Sequence, residues 1–116
     1  MAEEITLARH FDGKDPAVRA TYDRILAEAR GFGPVIEEPK KTSIHLVNKS
    51  AFAGVMTRKN VLILTLKSAA AITDARISKT EQVSASRFHQ EVRLSSPEDV
   101  DAAVIGWLQA AYAISG

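Results

Sequence analysis

Three histidines and a set of serines are the residues that could do chemistry in this sequence, but their spacing matches no catalytic motif. His10, His45 and His89 are far apart, and none has the His-x-x-x-His or Glu-x-x-His spacing that places two metal ligands on one helical face. No serine lies in a Gly-x-Ser-x-Gly or Ser-x-x-Lys motif, and cysteine is absent. We therefore predict no metal site and no cofactor, and we assign no catalytic residue.

Basic side chains are the second chemical feature, because they concentrate in the middle of the chain. The net charge is only +1 over 116 residues. Residues 40–93 nevertheless carry ten basic side chains against three acidic ones, a net charge of +7, whereas the segments before and after them each stand at −3. This division favours an anionic ligand or partner for the middle segment.

A helix is predicted before the basic segment. Asp15 followed by Pro16 is typical of an N-cap with proline at the first helical position, and the apolar spacing that follows predicts a helix over 16–30. Residues 6–11 could form one short helical turn, closed by Gly13.

A second helix is predicted after it. Ser96, Pro97 and Asp99 approximate a capping box, which predicts a helix from 97 to about 114. Trp107 lies in the middle of the apolar face of this helix, so we expect it to pack on the middle segment.

Between the helices the hydrophobic period changes to two, which indicates strands over 42–47, 51–57, 61–67 and 87–94. A three-residue loop would pair Leu46 with Phe52. A second one, with Asn60 in the left-handed region, would pair Met56 with Leu62. Residues 68–86 show neither period, so they form a functional loop or contain an element that the pattern does not reveal. The predicted buried face consists of Ile44, Leu46, Phe52, Met56, Leu62, Leu64, Leu66, Phe88, Val92 and Leu94.

The opposite face of this sheet is the candidate ligand-binding surface. Its centre would hold small and β-branched residues, with Val55 and Ile63 as the floor, and its margin would hold cations. Anions could bind there, or a second subunit could cover the floor. The alternative is that the basic residues only keep exposed strands soluble. The predicted ligand-binding residues are Lys41, Ser43, His45, Lys67, Arg87, His89 and Arg93.

Two classes of function follow from this surface. The first is a non-catalytic binding or interaction module for an anionic small molecule or an acidic protein segment. A nucleic acid is disfavoured within it, because the net charge is low and the face offers no exposed aromatic residue. The second is an enzyme or enzyme subunit with His45 or His89 as the acid/base group, although local motifs provide no nucleophile, base and orienting group together.

Four segments also carry a family resemblance: HFDGKDPAVRATYDRI, EEPKKTSIHL, AFAGVMTRKNVLILTL and RFHQEVRLSSPEDVDAAVIGWLQAAY. They include the pair Lys41 and Thr42 before the second strand, a basic hairpin tip at Arg58 and Lys59, and an acidic start to the final helix. In these features the chain resembles the small bacterial domain of unknown function 5655 over nearly its whole length. The resemblance supports the fold and implies no established activity.

The predicted fold class is α+β. We expect a single domain over 1–116, in which an antiparallel sheet of four or five strands carries the N- and C-terminal helices on one face. Such a domain resembles frataxin-like and related small α/β sandwiches. No stretch approaches the roughly 18 apolar residues of a membrane span, and the acidic start lacks a secretory apolar run. We therefore expect a cytoplasmic monomer or homodimer with no membrane partner.

Overall fold

The computed structural model describes residues 7–115, and within them two α-helices pack on one face of a six-stranded antiparallel sheet. Neighbouring strands follow the order β1-β2-β3-β4-β6-β5. The helices are α1 (Pro16–Arg30) and α2 (Ala102–Ile114), and the strands are β1 (Ile36–Pro39), β2 (Ile44–Val47), β3 (Ala51–Thr57), β4 (Leu62–Ser68), β5 (Ile77–Ser84) and β6 (Arg87–Leu94).

This arrangement confirms the predicted α+β class with both terminal helices on the sheet, although the described chain has six strands instead of four or five. The two additional strands are the sheet edges, β1 and β5. β1 is four residues long and has the sequence IEEP. β5 lies inside the segment 68–86 and is exposed after Ile77 along its whole length. Neither strand buries one face, so neither shows the alternation by which a strand is recognised in sequence.

The first helix has the predicted bounds, and its cap has the predicted geometry. The carboxylate of Asp15 accepts a hydrogen bond from the Ala17 amide at 2.9 Å. The predicted turn before it is a 3₁₀ helix, Ala8–Phe11, and Gly13 follows it with a φ of 70°. Thr6, the first residue of the predicted turn, lies outside the described residues.

The second helix begins later than predicted. Pro97–Asp99 form a 3₁₀ turn, and α2 begins only at Ala102. The reason is that two caps follow each other. Asp99 accepts from the Ser96 amide at 3.2 Å, and Asp101 accepts from the Val104 amide at 3.2 Å. Trp107 is half-buried at the edge of the helix layer rather than at its centre.

The register of β3 differs from the prediction by one residue on both sides. Leu46 lies opposite Ala53, and Met56 lies opposite Ile63. The loop between β3 and β4 has only two residues at its tip, because the Arg58 amide donates to the Val61 carbonyl at 2.8 Å. Its backbone stays at negative φ throughout, so Asn60 does not adopt the left-handed conformation.

As a result Val55 is fully buried in the core and Met56 lies on the opposite face, which reverses their predicted positions. The rest of the predicted buried face holds, except that Phe88 is only half-buried. The core between sheet and helices includes Ile44, Leu46, Phe52, Leu62, Leu64, Leu66, Val92 and Leu94 from the strands and Val18, Tyr22, Ile25, Val104, Leu108 and Ala111 from the helices.

Candidate functional site

The outer face of the sheet, which is the face that the helices leave uncovered, carries the candidate site. One row of residues crosses its central strands: His45 on β2 lies opposite Gly54 on β3, which lies opposite Thr65 on β4. In the next row Lys67 of β4 lies opposite His89 of β6. Two histidines and a lysine from three different strands therefore surround the part of β3 that contains Gly54.

Gly54 leaves an opening in that row because it has no side chain. A Cβ atom placed on it would lie 3.9 Å from the Thr65 Cβ and 4.0 Å from the His45 Cδ2, which is ordinary van der Waals contact. Its backbone conformation is one that other residues adopt, since only Gly13 and Gly33 have positive φ in the described chain. The glycine is therefore not required by the strand, and its effect is to leave space above the sheet.

A β-bulge enlarges the same opening. The β2–β3 register shifts between Leu46 and Val47, which gives β3 one extra residue at its start. Phe52, in this bulge, turns to the helix side, where it is fully buried and its ring centroid lies 5.2 Å from that of Tyr112. No large side chain of β3 then covers the outer face beside Lys67.

Gly54 and the bulge together produce a cavity of about 310 Å³, which we call the Gly54 cavity. It combines an apolar floor with polar side chains from β2, β4 and β6, and it opens to solvent. The residues that line it are Ser43, His45, Ala51, Phe52, Ala53, Gly54, Met56, Thr65, Leu66, Lys67 and His89.

Lys67 is the cation of this cavity. Its Nζ donates a hydrogen bond to the Ser50 Oγ at 3.2 Å. Partial burial lowers the pKa of Lys67 below its usual value, and the positive charge of Arg87 lowers it further. No carboxylate pairs with this ammonium among the ion pairs of the described residues. The group is therefore a partly desolvated cation whose charge a bound anion would stabilise.

Four of the seven predicted ligand-binding residues line the cavity: Ser43, His45, Lys67 and His89. The other three do not. Arg87 lies near enough to Lys67 to influence its charge, but it is not part of the lining. Lys41 lies exposed in the turn between β1 and β2, and Arg93 lies exposed opposite Ile63, outside the cavity.

The predicted floor needs a correction as well. Val55 belongs to the core, and Ile63 is absent from the cavity lining. The prediction placed Met56 on the inner face, and although it placed Thr65 on the outer face it did not include Thr65 among the ligand-binding residues. It also missed Gly54, although an isolated glycine in a strand is a recognised sign of a bulge or of open space.

A metal centre finds no support at this site. Across residues 7–115 no group of three or more histidine, aspartate or glutamate side chains could hold a metal ion. Two acidic residues lie next to cavity residues in the strand pairing. Glu91 lies opposite Thr65 and beside Lys79 of β5, and Glu81 of β5 lies opposite His89.

The fold and the cavity define a small α+β domain in which helices cover one face of a sheet and the other face carries an open, cation-bearing cavity. The chain belongs to the family described as Domain of unknown function (DUF5655), which matches residues 7–115. A comparison with curated proteins finds no match. Neither does a comparison with solved structures. Between Leu7 and Ser115, no helix is long and apolar enough to cross a membrane.

Proposed function

We propose that this domain is a non-catalytic binding module that holds a small anionic ligand in the Gly54 cavity. The observation that carries the proposal is the convergence of Lys67, His45 and His89, from three strands, around an opening that the chain leaves at Gly54. Ring nitrogens and an ammonium can each donate to a carboxylate or phosphate oxygen.

The size and lining of the cavity favour a small molecule over a polymer. A volume of about 310 Å³ lies at the lower end of the range for small-molecule sites. Sequence-tolerant nucleic-acid binding relies on exposed aromatic rings, and Phe52, the only Phe, Tyr or Trp in the lining, is fully buried. An acidic protein segment could still present one carboxylate to the same groups.

The electrostatics of Lys67 support an anion. Its ammonium is partly desolvated and has Arg87 nearby, so its pKa is lowered and the charged form is less favourable in the free protein than it is for a lysine in water. An anion beside it would offset both effects and raise the pKa of Lys67 again. Binding should therefore be accompanied by proton uptake at alkaline pH, which an uncharged ligand would not cause.

The test uses four probes at low ionic strength: inorganic phosphate, succinate, adenosine monophosphate and a glutamate-rich peptide. Two-dimensional NMR should show saturable shifts at Gly54, Thr65 and His89 for at least one of them. Gly54→Val should abolish those shifts without unfolding the domain, because a Cβ fits there and the larger side chain fills the cavity.

The matched control is Gly106→Ala on α2, where a Cβ meets nothing within 4 Å and which lies outside the cavity. This variant should bind like the unaltered protein. Shifts that survive in Gly54→Val, or the absence of saturable shifts with all four probes, would contradict the proposal.

An enzyme remains the second candidate, because His45 and His89 line the same cavity. If it is one, a bound phosphate ester or carboxylate ester should be turned over, and His45→Gln or His89→Gln should stop turnover while leaving binding measurable. Binding without turnover of either ester class would favour the binding module.

A further inference from the structure

β5 is an edge strand whose outer side has no pairing partner in the described chain. It is also exposed on both faces, because only Ile77 is half-buried and Val83 is 53% exposed. An edge strand of this length, with its backbone N–H and C=O groups free on one side, is a template for pairing with another chain. Its eight residues, ISKTEQVS, contain no proline and one residue of each charge.

The opposite edge of the sheet, β1, offers no comparable surface. It is only four residues long and ends at Pro39. Glu37 and Glu38 are adjacent in it, so pairing with a second β1 would place carboxylates close to carboxylates. Of the two edges of the sheet, β5 is therefore the one that can pair with a further strand.

Geometry restricts how β5 could pair with itself. Alternate residues of β5 direct their backbone N–H and C=O groups away from β6, and in an antiparallel pair such a residue must lie opposite a residue that does the same. Residues that face each other in a pair of identical strands therefore differ in position by an even number. The twofold axis must then pass through a residue and not between two residues. Near the middle of the strand the choices are Lys79, Thr80 and Glu81.

Charge selects one of these three registers. An axis at Lys79 places Lys79 against its own copy, and an axis at Glu81 places Glu81 against its own copy. An axis at Thr80 instead places Lys79 opposite Glu81 twice and Thr80 opposite Thr80, so both charges are paired. The regular part of β5 is Lys79–Gln82, since its pairing with β6 shifts on either side of that run.

We propose that two copies of this chain form a twofold dimer by antiparallel pairing of β5 with β5, centred on Thr80. Each Lys79 then lies between Glu91 of its own β6 and Glu81 of the other copy. The interface is self-complementary, as a twofold contact requires.

The contact is small, so the dimer should be weak and depend on concentration and salt. Sedimentation equilibrium over rising concentrations should show the mass moving from one chain towards two. Lys79→Glu places four carboxylates at the interface and Glu81→Lys places four ammonium groups there. Each should weaken the dimer about tenfold or more.

A mixture of these two variants tests directly whether residues 79 and 81 lie opposite each other. A Lys79→Glu chain and a Glu81→Lys chain are complementary in the Thr80 register, so an equimolar mixture should regain the dimer as a heterodimer. The controls Lys49→Glu and Glu98→Lys make the same changes in net charge at exposed positions outside β5, and they should dimerise normally. A monomeric mixture of the two folded variants would overturn the proposal.

A cross-link tests the register even if a charge variant fails to fold. The chain contains no cysteine, so single-cysteine variants report one position each. Thr80→Cys should form an intermolecular disulfide on mild oxidation, because the two residues lie directly opposite each other. Gln82→Cys should not, since its copies are four residues apart in this register. Cross-linking of Gln82→Cys but not of Thr80→Cys, or a monomer at every concentration, would refute the dimer.

Discussion

Adjacent residues of β4 face two different environments, and the contrast between them separates stability from binding. Leu62, Leu64 and Leu66 point to the helices and are fully buried. Thr65 and Lys67 point to the other side, where they line an open cavity. The inner face is filled by packing, whereas the outer face has space because Gly54 has no side chain and Phe52 turns inward. Substitutions on the two faces should therefore have different consequences.

The largest expected effect compares two neighbours on β4. Leu64→Ala removes a fully buried side chain and should lower the free energy of unfolding by about 2–5 kcal/mol. Thr65→Ala should lower it by less than about 1 kcal/mol, because the threonine faces the cavity. Urea denaturation measures both, and equal losses would mean that the two faces are not distinct.

A smaller loss in the free energy of unfolding is expected for a substitution at the edge of the helix layer. Trp107 is half-buried, and the guanidinium of Arg76 lies 5.3 Å from its ring centroid. Trp107→Ala should therefore lower the free energy of unfolding by about 1–3 kcal/mol, less than the roughly 3–5 kcal/mol of a fully buried ring. A denaturation midpoint that does not change would show that the ring contributes nothing to the layer.

Loss of a polar contact within the inner layer should lower the free energy of unfolding by a still smaller amount, and this amount should depend on pH. Tyr22 is fully buried and donates to the Glu37 carboxylate at 2.7 Å. Burial raises the pKa of Tyr22 above its ordinary 10.0, and the hydrogen bond to Glu37 raises it further. The neutral phenol is thus favoured by folding, and its contribution is complete below pH 10 and is lost as the pH rises above that value.

Tyr22→Phe should lower the free energy of unfolding by about 1 kcal/mol at neutral pH, because the hydrogen bond is lost. The variant should also lose less stability than the unaltered protein as the pH rises above 10.0. Unfolding curves measured across this pH range test both statements. Parallel pH profiles for the two proteins would exclude the buried phenol as the titrating group.

The smallest effect on stability is expected on the outer face. Lys67→Met removes a cation whose pKa is lowered by burial and by Arg87, so the free energy of unfolding should change by less than about 0.5 kcal/mol. Binding of the anionic probe should be lost nonetheless. An NMR titration of the Lys67 Cε resonance should show a pKa below 10.5 in the free protein. A stability loss as large as that of Leu64→Ala would remove the distinction between the faces.

Much of the fold was predictable because its signals are local. Asp15 and Pro16 determine the start of α1 within a few residues, and the alternation in β4 identifies its inner face without reference to any other strand. The edge strands β1 and β5 were not predictable in this way. They bury little, so they are strands because β2 and β6 supply hydrogen-bonding partners.

The candidate site was predictable only in part, for a related reason. Alternation along β2, β4 and β6 correctly placed His45, Lys67 and His89 on one face. It could not show that these three side chains surround a cavity, since this depends on the register of β3. Alternation along β6 also assigned Arg93 to this face, and Lys41 was taken as an extension of β2. Neither argument shows whether a side chain reaches the cavity, and both residues lie outside its lining.

By itself the sequence determined the cap of α1, the four inner strands and the face on which His45, His89 and Lys67 lie. The tertiary structure decided the register of β3, and with it the position of Val55, Met56 and the cavity. The physical reason is that helix caps and alternation involve residues close in sequence. The register depends on the bulge that lets Phe52 pack on Tyr112 and on a hairpin tip of two residues. In this register Phe52 and Val55 are fully buried between the sheet and the helices, and these contacts join residues that no short segment of sequence contains.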